Sequence, residues 1–253
     1  MSPPSGPLRF DPAREQEELR EYLGAEYDHG LLERYQDTLA AEFARCGDEQ
    51  RFYRESRGYL YNLTAFAMTG TKLPYLEALM RRVPAPARLF DYGCGIGSDG
   101  LMLLQAGYRV EFADFDNPSA EYLRWRLARR GLDAPVHDLD GEVPGGFDAA
   151  YAFDVIEHVP DPFAFLGELE RRAALVAVNL LEPGADEQEL HHDLPVRALL
   201  RHAVRRGLVH YRVVQDRSHL VLYRAGIPRG VRPIGEARLA GGRLRRALGR
   251  RAG

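Results

Sequence analysis

The chain has few of the residues that suit an oxidising compartment or a lipid bilayer. Its 253 residues include only two cysteines, Cys46 and Cys94, too few for a disulfide framework. No apolar run approaches the roughly 20 residues that a membrane-spanning helix requires. Residues 1–12 lack the basic and then apolar pattern of a signal peptide. We therefore expect a cytoplasmic protein without a membrane partner.

Lysine is almost absent, and neither sign of charge predominates. Lys72 is the only lysine among 34 basic residues, which are balanced by 37 acidic residues. The net charge of −3 provides no general attraction to nucleic acid, so we do not expect a nucleic-acid partner. The arginines of segment 226–253 lack aromatic neighbours that stack on bases, and we interpret the segment as a flexible tail rather than a site for RNA or an acidic carrier protein.

Helical and strand patterns divide the chain into three predicted domains. An N-terminal helical cap spans 1–86, an α/β domain spans 87–225, and the arginine-rich tail spans 226–253. Apolar strands that alternate with helices indicate a mainly parallel sheet, and two final strands joined by a tight turn indicate an antiparallel end. Helices are predicted over 15–24, 31–45, 52–68, 73–83, 97–106, 118–130, 163–171 and 195–206, and strands over 89–92, 109–113, 136–138, 147–153, 174–180, 208–215 and 219–224.

The most informative segment is a glycine-rich turn between the first strand and its helix. It reads Asp91-Tyr-Gly93-Cys94-Gly95-Ile-Gly97. Glycines at such a turn let backbone N–H groups approach a ligand closely. Residues 95–100 also satisfy the dinucleotide pattern G-x-G-x-x-G, which alone is a weak signal. The carboxylate of Asp91 suits an ammonium group and would repel a pyrophosphate, so an NAD-dependent oxidoreductase is the poorer interpretation.

This turn resembles that of the class I S-adenosylmethionine (SAM)-dependent methyltransferases, in which an acidic residue precedes G-x-G-x-G. The resemblance extends from about Arg88 to Arg224. Residues 147–162 are similar to the fourth-strand motif of the branch that includes the ubiquinone-pathway O-methyltransferases. The resemblance implies a Rossmann-like, seven-stranded, mostly parallel sheet with an antiparallel final strand, an N-terminal helical cap, and SAM as cofactor.

The resemblance also implies which residues hold the cofactor. Asp114, about 20 residues beyond the glycines, matches the acid that binds both ribose hydroxyls, and Asp138 matches the acid that accepts a hydrogen bond from the adenine amino group. Either acid is also compatible with an ordinary strand-end or capping role. Tyr61, in an aromatic helix, is predicted to close over the methionine end as part of a lid, or simply to pack. The predicted cofactor-binding residues are Asp91, Gly93, Cys94, Gly95, Gly97, Asp114, Phe115, Asp138, Leu139, Asp154 and Tyr61.

Histidines after the fourth and fifth strands are the candidates for activating an acceptor. His158 is a candidate general base, and His191 and His192 are candidates for a base or a substrate contact; all three also suit structural roles in their loops. Asp154, Glu157 and His158 together with one later histidine would suit a divalent cation, but we predict no metal. Arg54 and Arg57 are candidates for a carboxylate contact or for plain solvation.

The sequence therefore predicts a SAM-dependent methyltransferase that acts on a small molecule, with oxygen favoured over nitrogen or carbon. Specialised metabolism is the expected setting. The alternatives are transfer of the aminocarboxypropyl chain of SAM, cyclisation of SAM, and a SAM-binding protein without catalysis. The oligomeric state has no sequence signature here.

Overall fold

The computed structural model describes residues 7–182 and 192–226. The strands are β1 (Arg88–Tyr92), β2 (Arg109–Asp114), β3 (Val136–Asp138), β4 (Phe147–Ala152), β5 (Ala173–Leu181), β6 (Leu208–Val214) and β7 (Ser218–Arg224). The helices are α1 (Pro12–Leu23), α2 (His29–Glu33), α3 (Tyr35–Cys46), α4 (Glu49–Glu55), α5 (Tyr59–Met68), α6 (Leu73–Arg82), α7 (Ser98–Gln105), α8 (Pro118–Arg129), α9 (Pro162–Arg172) and α10 (Val196–Gly207).

Side-chain caps determine where several helices begin. The carboxylate of Asp11 accepts a hydrogen bond from the Arg14 N–H at 3.1 Å, just before Pro12 opens α1. Asp48 caps α4, Asn117 caps α8 and Asp161 caps α9 in the same way. Such caps satisfy N–H groups that have no partner within the helix.

Two helices predicted as continuous are each divided in the structure. The helix predicted over 31–45 is interrupted at Arg34, which separates α2 from α3. The helix predicted over 52–68 is interrupted at Ser56, whose extended backbone (φ −69°, ψ 117°) ends α4. The Ser56 hydroxyl then accepts a hydrogen bond from the Tyr59 N–H at 3.0 Å. The serine thus offers the backbone a competing partner, which the apolar periodicity of the segment does not reveal.

The seven strands form one sheet in the order β3-β2-β1-β4-β5-β7-β6. Strands β2 and β3 are parallel, as are β4 and β5. Strand β7 is antiparallel to both β5 and β6. The predicted mostly parallel α/β sheet with an antiparallel end is confirmed, and helices α1–α6 precede it as predicted.

Contacts divide the chain into two compact units. Unit 1 comprises Met1–Leu73 and Asp91–Val143, and unit 2 comprises Pro74–Phe90 and Pro144–Gly253. In unit 1, α1 packs on α5 and α7 packs on β2; in unit 2, α9 packs on β4 and β5. The buried cluster of unit 1 joins its N-terminal helices to the glycine-rich turn; its members are Leu19, Leu32, Leu60, Tyr61, Ile96 and Tyr122.

The predicted domain limits at 86 and 225 stay a prediction, and residues 227–253 of the predicted tail lie outside the described residues. Among the helices that the structure does describe, none combines the length and apolar character needed to cross a bilayer.

Candidate functional site

The glycine-rich turn after β1 has a backbone that few other residues could adopt. Gly95 and Gly97 have φ angles of 52° and 72°, in the left-handed region that favours glycine. A Cβ on Gly97 would lie 2.3 Å from the Cδ1 atom of Leu123, and one on Gly95 would lie 3.0 Å from the Cδ1 atom of Leu63. The turn is therefore shaped both by its φ angles and by the close approach of α8 and α5.

Asp114, at the end of β2, is bonded directly to this turn. Its Oδ2 atom accepts a hydrogen bond from the Gly95 N–H at 2.7 Å. Its Oδ1 atom accepts from the Phe115 N–H at 2.8 Å and from the Asn117 amide nitrogen at 3.2 Å. Burial raises the pKa of Asp114, and these three donors oppose that rise. The structure thus brings together three residues of the predicted site: Gly95, Asp114 and Phe115.

Asp138 stands at the end of β3, in register with Asp114. Its Oδ1 atom accepts a hydrogen bond from the Asp140 N–H at 3.0 Å. The neighbouring Leu139 N–H donates to the Asp114 carbonyl oxygen at 2.9 Å. The Leu139 N–H is therefore already used in a backbone hydrogen bond. To donate to the adenine, as predicted, it would have to break its bond to the Asp114 carbonyl oxygen.

Cys94 lies close to two of the predicted acids. The N–H groups of Gly93 and Cys94 donate to the Ala113 carbonyl oxygen at 2.9 and 3.1 Å. Burial raises the pKa of the Cys94 thiol well above its usual value, and the negative charges of Asp114 and Asp91 raise it further. Asp91 itself is only 4% exposed. Cys94 is accordingly a neutral thiol that shapes the turn, since the thiolate is the reactive form of cysteine.

Tyr61 is buried and is hydrogen-bonded to the backbone before α2. Its hydroxyl accepts a hydrogen bond from the Asp28 N–H at 2.9 Å and donates to the Glu26 carbonyl oxygen at 3.4 Å. The side chain is 6% exposed and lies beside Tyr27. Its hydroxyl holds the turn before α2, which favours the packing alternative, and the predicted contact with the cofactor stays a prediction.

Asp154 follows β4 in a left-handed backbone conformation, with φ 56°. Its N–H donates to the Asn179 Oδ1 atom at 2.8 Å, and its own Oδ1 accepts from the Asn179 Nδ2 at 2.6 Å. The Ser218 hydroxyl oxygen accepts from the same amide nitrogen at 3.2 Å and from the Tyr75 hydroxyl at 2.8 Å. Within unit 2, this buried network holds Asp154 in a conformation that is uncommon outside glycine.

The histidines of the predicted acceptor site lie on two adjoining segments of unit 2. His158 ends a 3-10 turn, Ile156–His158, that follows β4. The His192 N–H donates to the carbonyl oxygen of Glu157 at 2.7 Å, which brings the segment after β5 against this turn. His191 lies outside the described residues. Within 7–182 and 192–226, no three His, Cys, Asp or Glu side chains form a group suited to a metal ion.

Comparison with known proteins identifies the segment that contains the glycine-rich turn. A family described as a methyltransferase domain matches residues 90–175. The ubiquinone biosynthesis O-methyltransferase of Xanthomonas axonopodis pv. citri (strain 306) is 32% identical over 123 residues, which are 47% of each chain. Residues 90–175 are thus similar to a methyltransferase domain. The chain spans about half the length of the curated relatives that it matches.

Solved structures share the fold of this methyltransferase domain. Magnesium protoporphyrin IX methyltransferase from Synechocystis PCC 6803, solved with bound SAM, is 17% identical with a TM-score of 0.50, over 82% of this chain and 95% of its own. The mitomycin 7-O-methyltransferase is 20% identical with a TM-score of 0.52, over 85% of this chain and 73% of its own.

The acids of the methyltransferase domain fit the chemistry of SAM. Asp138, Asp114 and Asp91 stand at or next to the carboxyl ends of three neighbouring strands, β3, β2 and β1. The ammonium, the ribose hydroxyls and the adenine amino group of SAM are all donors, and carboxylates only accept. Three donors already occupy Asp114, and a carboxylate has about four acceptor positions, so a ribose diol that binds there must replace one of them.

Sequence reasoning missed Arg126, which supports the glycine-rich turn from behind. Its buried guanidinium donates through Nη1 to the Ile96 carbonyl oxygen at 2.8 Å and to the Ser98 hydroxyl at 2.9 Å. It donates through Nε to Glu18 at 2.8 Å and through Nη2 to Glu15 at 2.5 Å. The sequence shows that α1 is rich in glutamate and that α8 is rich in arginine. It contains no local signal that these two helices contact each other.

Arg54 pairs with a carboxylate of this chain. Its Nη2 atom donates to the Asp140 Oδ1 at 2.9 Å, and its guanidinium carbon lies 4.2 Å from the centre of the Phe115 ring. Arg57 pairs with Glu26, at 3.6 Å. In this structure Arg54 thus binds a carboxylate of the protein itself, two residues beyond the predicted adenine acid.

Proposed function

We propose that this protein transfers the methyl group of SAM to a small-molecule acceptor, with oxygen favoured over nitrogen or carbon. The observation that carries the proposal is the bond between the Asp114 carboxylate and the Gly95 N–H, at 2.7 Å. It joins the predicted ribose acid to the predicted methionine-side turn. The preference for oxygen draws on the curated relatives, which are named O-methyltransferases.

The residues of unit 1 would bind and orient the cofactor. Asp114 would accept from the ribose hydroxyls, Asp138 from the adenine amino group, and Asp91 from the ammonium group, directly or through water. SAM supplies, when bound, a methyl group on a cationic sulfur that is already a good leaving group. Transfer then depends mainly on holding donor and acceptor in line, so the rigid glycine turn and its supports are the main contribution of this unit.

The candidate groups for activating an acceptor belong to unit 2. His158 and His192 are the candidates to accept the proton of an acceptor hydroxyl, because histidine is the usual general base near neutral pH. The bond between the His192 N–H and the Glu157 carbonyl oxygen, at 2.7 Å, supports placing both side chains in one loop cluster. Asp154, held by Asn179, would orient a group of the substrate from the end of β4.

The setting of the reaction remains part of the proposal. The helical cap suggested specialised metabolism, whereas the relatives are named for ubiquinone biosynthesis. We propose a cytoplasmic enzyme with a small-molecule substrate and without a nucleic-acid partner. An acceptor screen that includes catechols and quinol precursors alongside other small phenols would distinguish the two settings.

Calorimetry with SAM and with S-adenosylhomocysteine tests the proposal. Micromolar binding of both is expected, followed by formation of S-adenosylhomocysteine when an acceptor is present. Methylthioadenosine as the product would show that another part of SAM is transferred or cyclised. Binding without turnover of any acceptor would favour a non-catalytic SAM-binding protein, and failure to bind either ligand would overturn the proposed function.

A further inference from the structure

The short helix α4 is fastened to the residues that directly follow the two predicted adenosine acids. The Asn117 amide nitrogen donates to the Tyr53 carbonyl oxygen at 3.1 Å. The Arg54 guanidinium makes two hydrogen bonds to the Asp140 carboxylate, at 2.5 and 2.9 Å, and lies over the Phe115 ring at 4.2 Å. Three separate contacts therefore join α4 to this edge of unit 1.

The three partners of α4 have a consistent place in the chain. Phe115 and Asn117 come one and three residues after Asp114, and Asp140 comes two residues after Asp138. Asn117 also donates to Asp114 itself, at 3.2 Å. Helix α4 thus lies at the ends of β2 and β3, where the proposed function places the ribose and the adenine.

The ion pair between Arg54 and Asp140 is exposed enough to break and re-form. The side chains of Arg54 and Asp140 are 38% and 51% exposed, and exposed ion pairs are weak and screened by salt. The pKa of Asp140 is lowered by its hydrogen bonds and attraction to Arg54, so the pair stays charged near neutral pH. The Tyr53 bond uses a backbone oxygen, whereas Arg54 attaches α4 through its side chain, so a substitution of Arg54 directly weakens the attachment.

We propose that α4 covers the adenosine end of the cofactor site and that the Arg54–Asp140 pair holds it closed, so that its opening sets the rate of cofactor exchange. Arg54 stacks on Phe115 and binds Asp140, and both partners adjoin the proposed adenosine site. The inference rests on the proposed function, because it takes Asp114 and Asp138 as the ribose and adenine acids.

The experiment measures the dissociation rate of labelled SAM from the full chain, chased with unlabelled SAM. Arg54→Ala should release SAM about three to ten times faster than the wild type, the range expected for losing an exposed pair and a stacked cation. Asp140→Asn, which removes only the pair, should release SAM about two to five times faster. Arg124→Ala is the matched control, since it removes another exposed arginine of unit 1, which pairs with Asp116 instead. Its rate should equal that of the wild type.

Two further readouts separate this role from a general loss of structure. The wild-type rate should increase when the ionic strength is raised from about 0.01 to about 1 M, and Asp140→Asn should abolish that dependence. The charge reversal Arg54→Asp with Asp140→Arg should restore a slow rate. Equal rates for the wild type, Arg54→Ala and Asp140→Asn would overturn the cover while leaving the proposed function intact. A wild type that binds no SAM would overturn the proposed function, and the cover with it.

Discussion

The Nη1 atom of Arg126 lies 2.8 Å from the carbonyl oxygen of Ile96, inside the glycine-rich turn. The same guanidinium binds Glu18 and Glu15 of α1. A fully buried arginine is tolerated only when its donors and charge are matched. Helix α1 therefore supports the glycine-rich turn through Arg126.

Replacing Arg126 should strongly destabilise the fold. Arg126→Leu removes one of the arginines that pair with the buried Glu18 carboxylate. Breaking a buried ion pair lowers the free energy of unfolding by about 3–5 kcal/mol. Arg129→Ala is the matched control on the same helix, because its pair with Glu21 is partly exposed and worth about 1 kcal/mol or less. Urea unfolding at neutral pH measures both. Similar losses for the two variants would contradict the special role of the buried site.

Whether a contact of the candidate site could be predicted from the sequence depends on how far apart the two contacting residues are in the chain. The acids Asp91, Asp114 and Asp138 were predicted from their places at strand ends and from the resemblance to the class I SAM-dependent methyltransferases. Their neighbouring positions follow from the order of the strands in the sheet. Arg126 was missed because its bond to Glu18 joins residues 108 positions apart, and charged helix faces are usually solvated. Arg54 was recognised as a candidate, but its partner, 86 positions away, could not be.

Local alternatives explain the remaining differences. The break at Ser56 depends on a hydroxyl that prefers to cap the next helix, and the apolar pattern runs through it. Tyr61 was predicted to close over the methionine end as part of a lid or simply to pack, and its hydroxyl accepts a hydrogen bond from the Asp28 N–H. At both positions a side-chain hydroxyl bonds to a backbone N–H, and the pattern of apolar residues in the sequence does not reveal such a bond.

Glu18 should make the stability of the protein depend on acid pH. Burial would raise its pKa, but the hydrogen bond from Arg130 and the charges of Arg126 and Arg130 lower the pKa from 4.5 to about 2. A depressed pKa contributes stability above the unfolded value that is lost as pH falls through the folded value, so the loss should occur between about pH 5 and pH 2. The full contribution is on the order of 3 kcal/mol, from 1.36 kcal/mol per pKa unit.

Unfolding measured at several pH values checks this contribution. Glu18→Gln should be less stable than the wild type at pH 7, and the difference should shrink as the pH falls toward 2. Glu21→Gln, which alters the neighbouring exposed pair, serves as the control and should track the wild type. A constant difference between Glu18→Gln and the wild type at all pH values would contradict the linkage.

Asp114→Ala should weaken SAM binding about tenfold or more, because charge-assisted hydrogen bonds to the ribose contribute about 1.5–3 kcal/mol. The substitution also removes the partner of the Gly95 N–H, so the turn loses its fixed geometry. Asp116→Ala is the matched control: this nearby acid is exposed and pairs with Arg124 at 2.9 Å. Calorimetry measures both dissociation constants. An unchanged constant for Asp114→Ala would remove that residue from the cofactor site.

His158→Ala should lower kcat by about a hundredfold or more, while the dissociation constant for SAM changes little. The expected rate loss follows from the usual contribution of a general base, and SAM binding is preserved because the proposed cofactor contacts belong to Asp91, Asp114 and Asp138. His202→Ala is the control, since this histidine of unit 2 is bonded to Glu170 on α9 and should leave kcat unchanged. Steady-state kinetics with the acceptor found by screening, together with calorimetry, separates the two effects. A parallel loss of rate and SAM affinity in His158→Ala would assign the residue to binding rather than to proton transfer, and an unchanged kcat would transfer the role to His192.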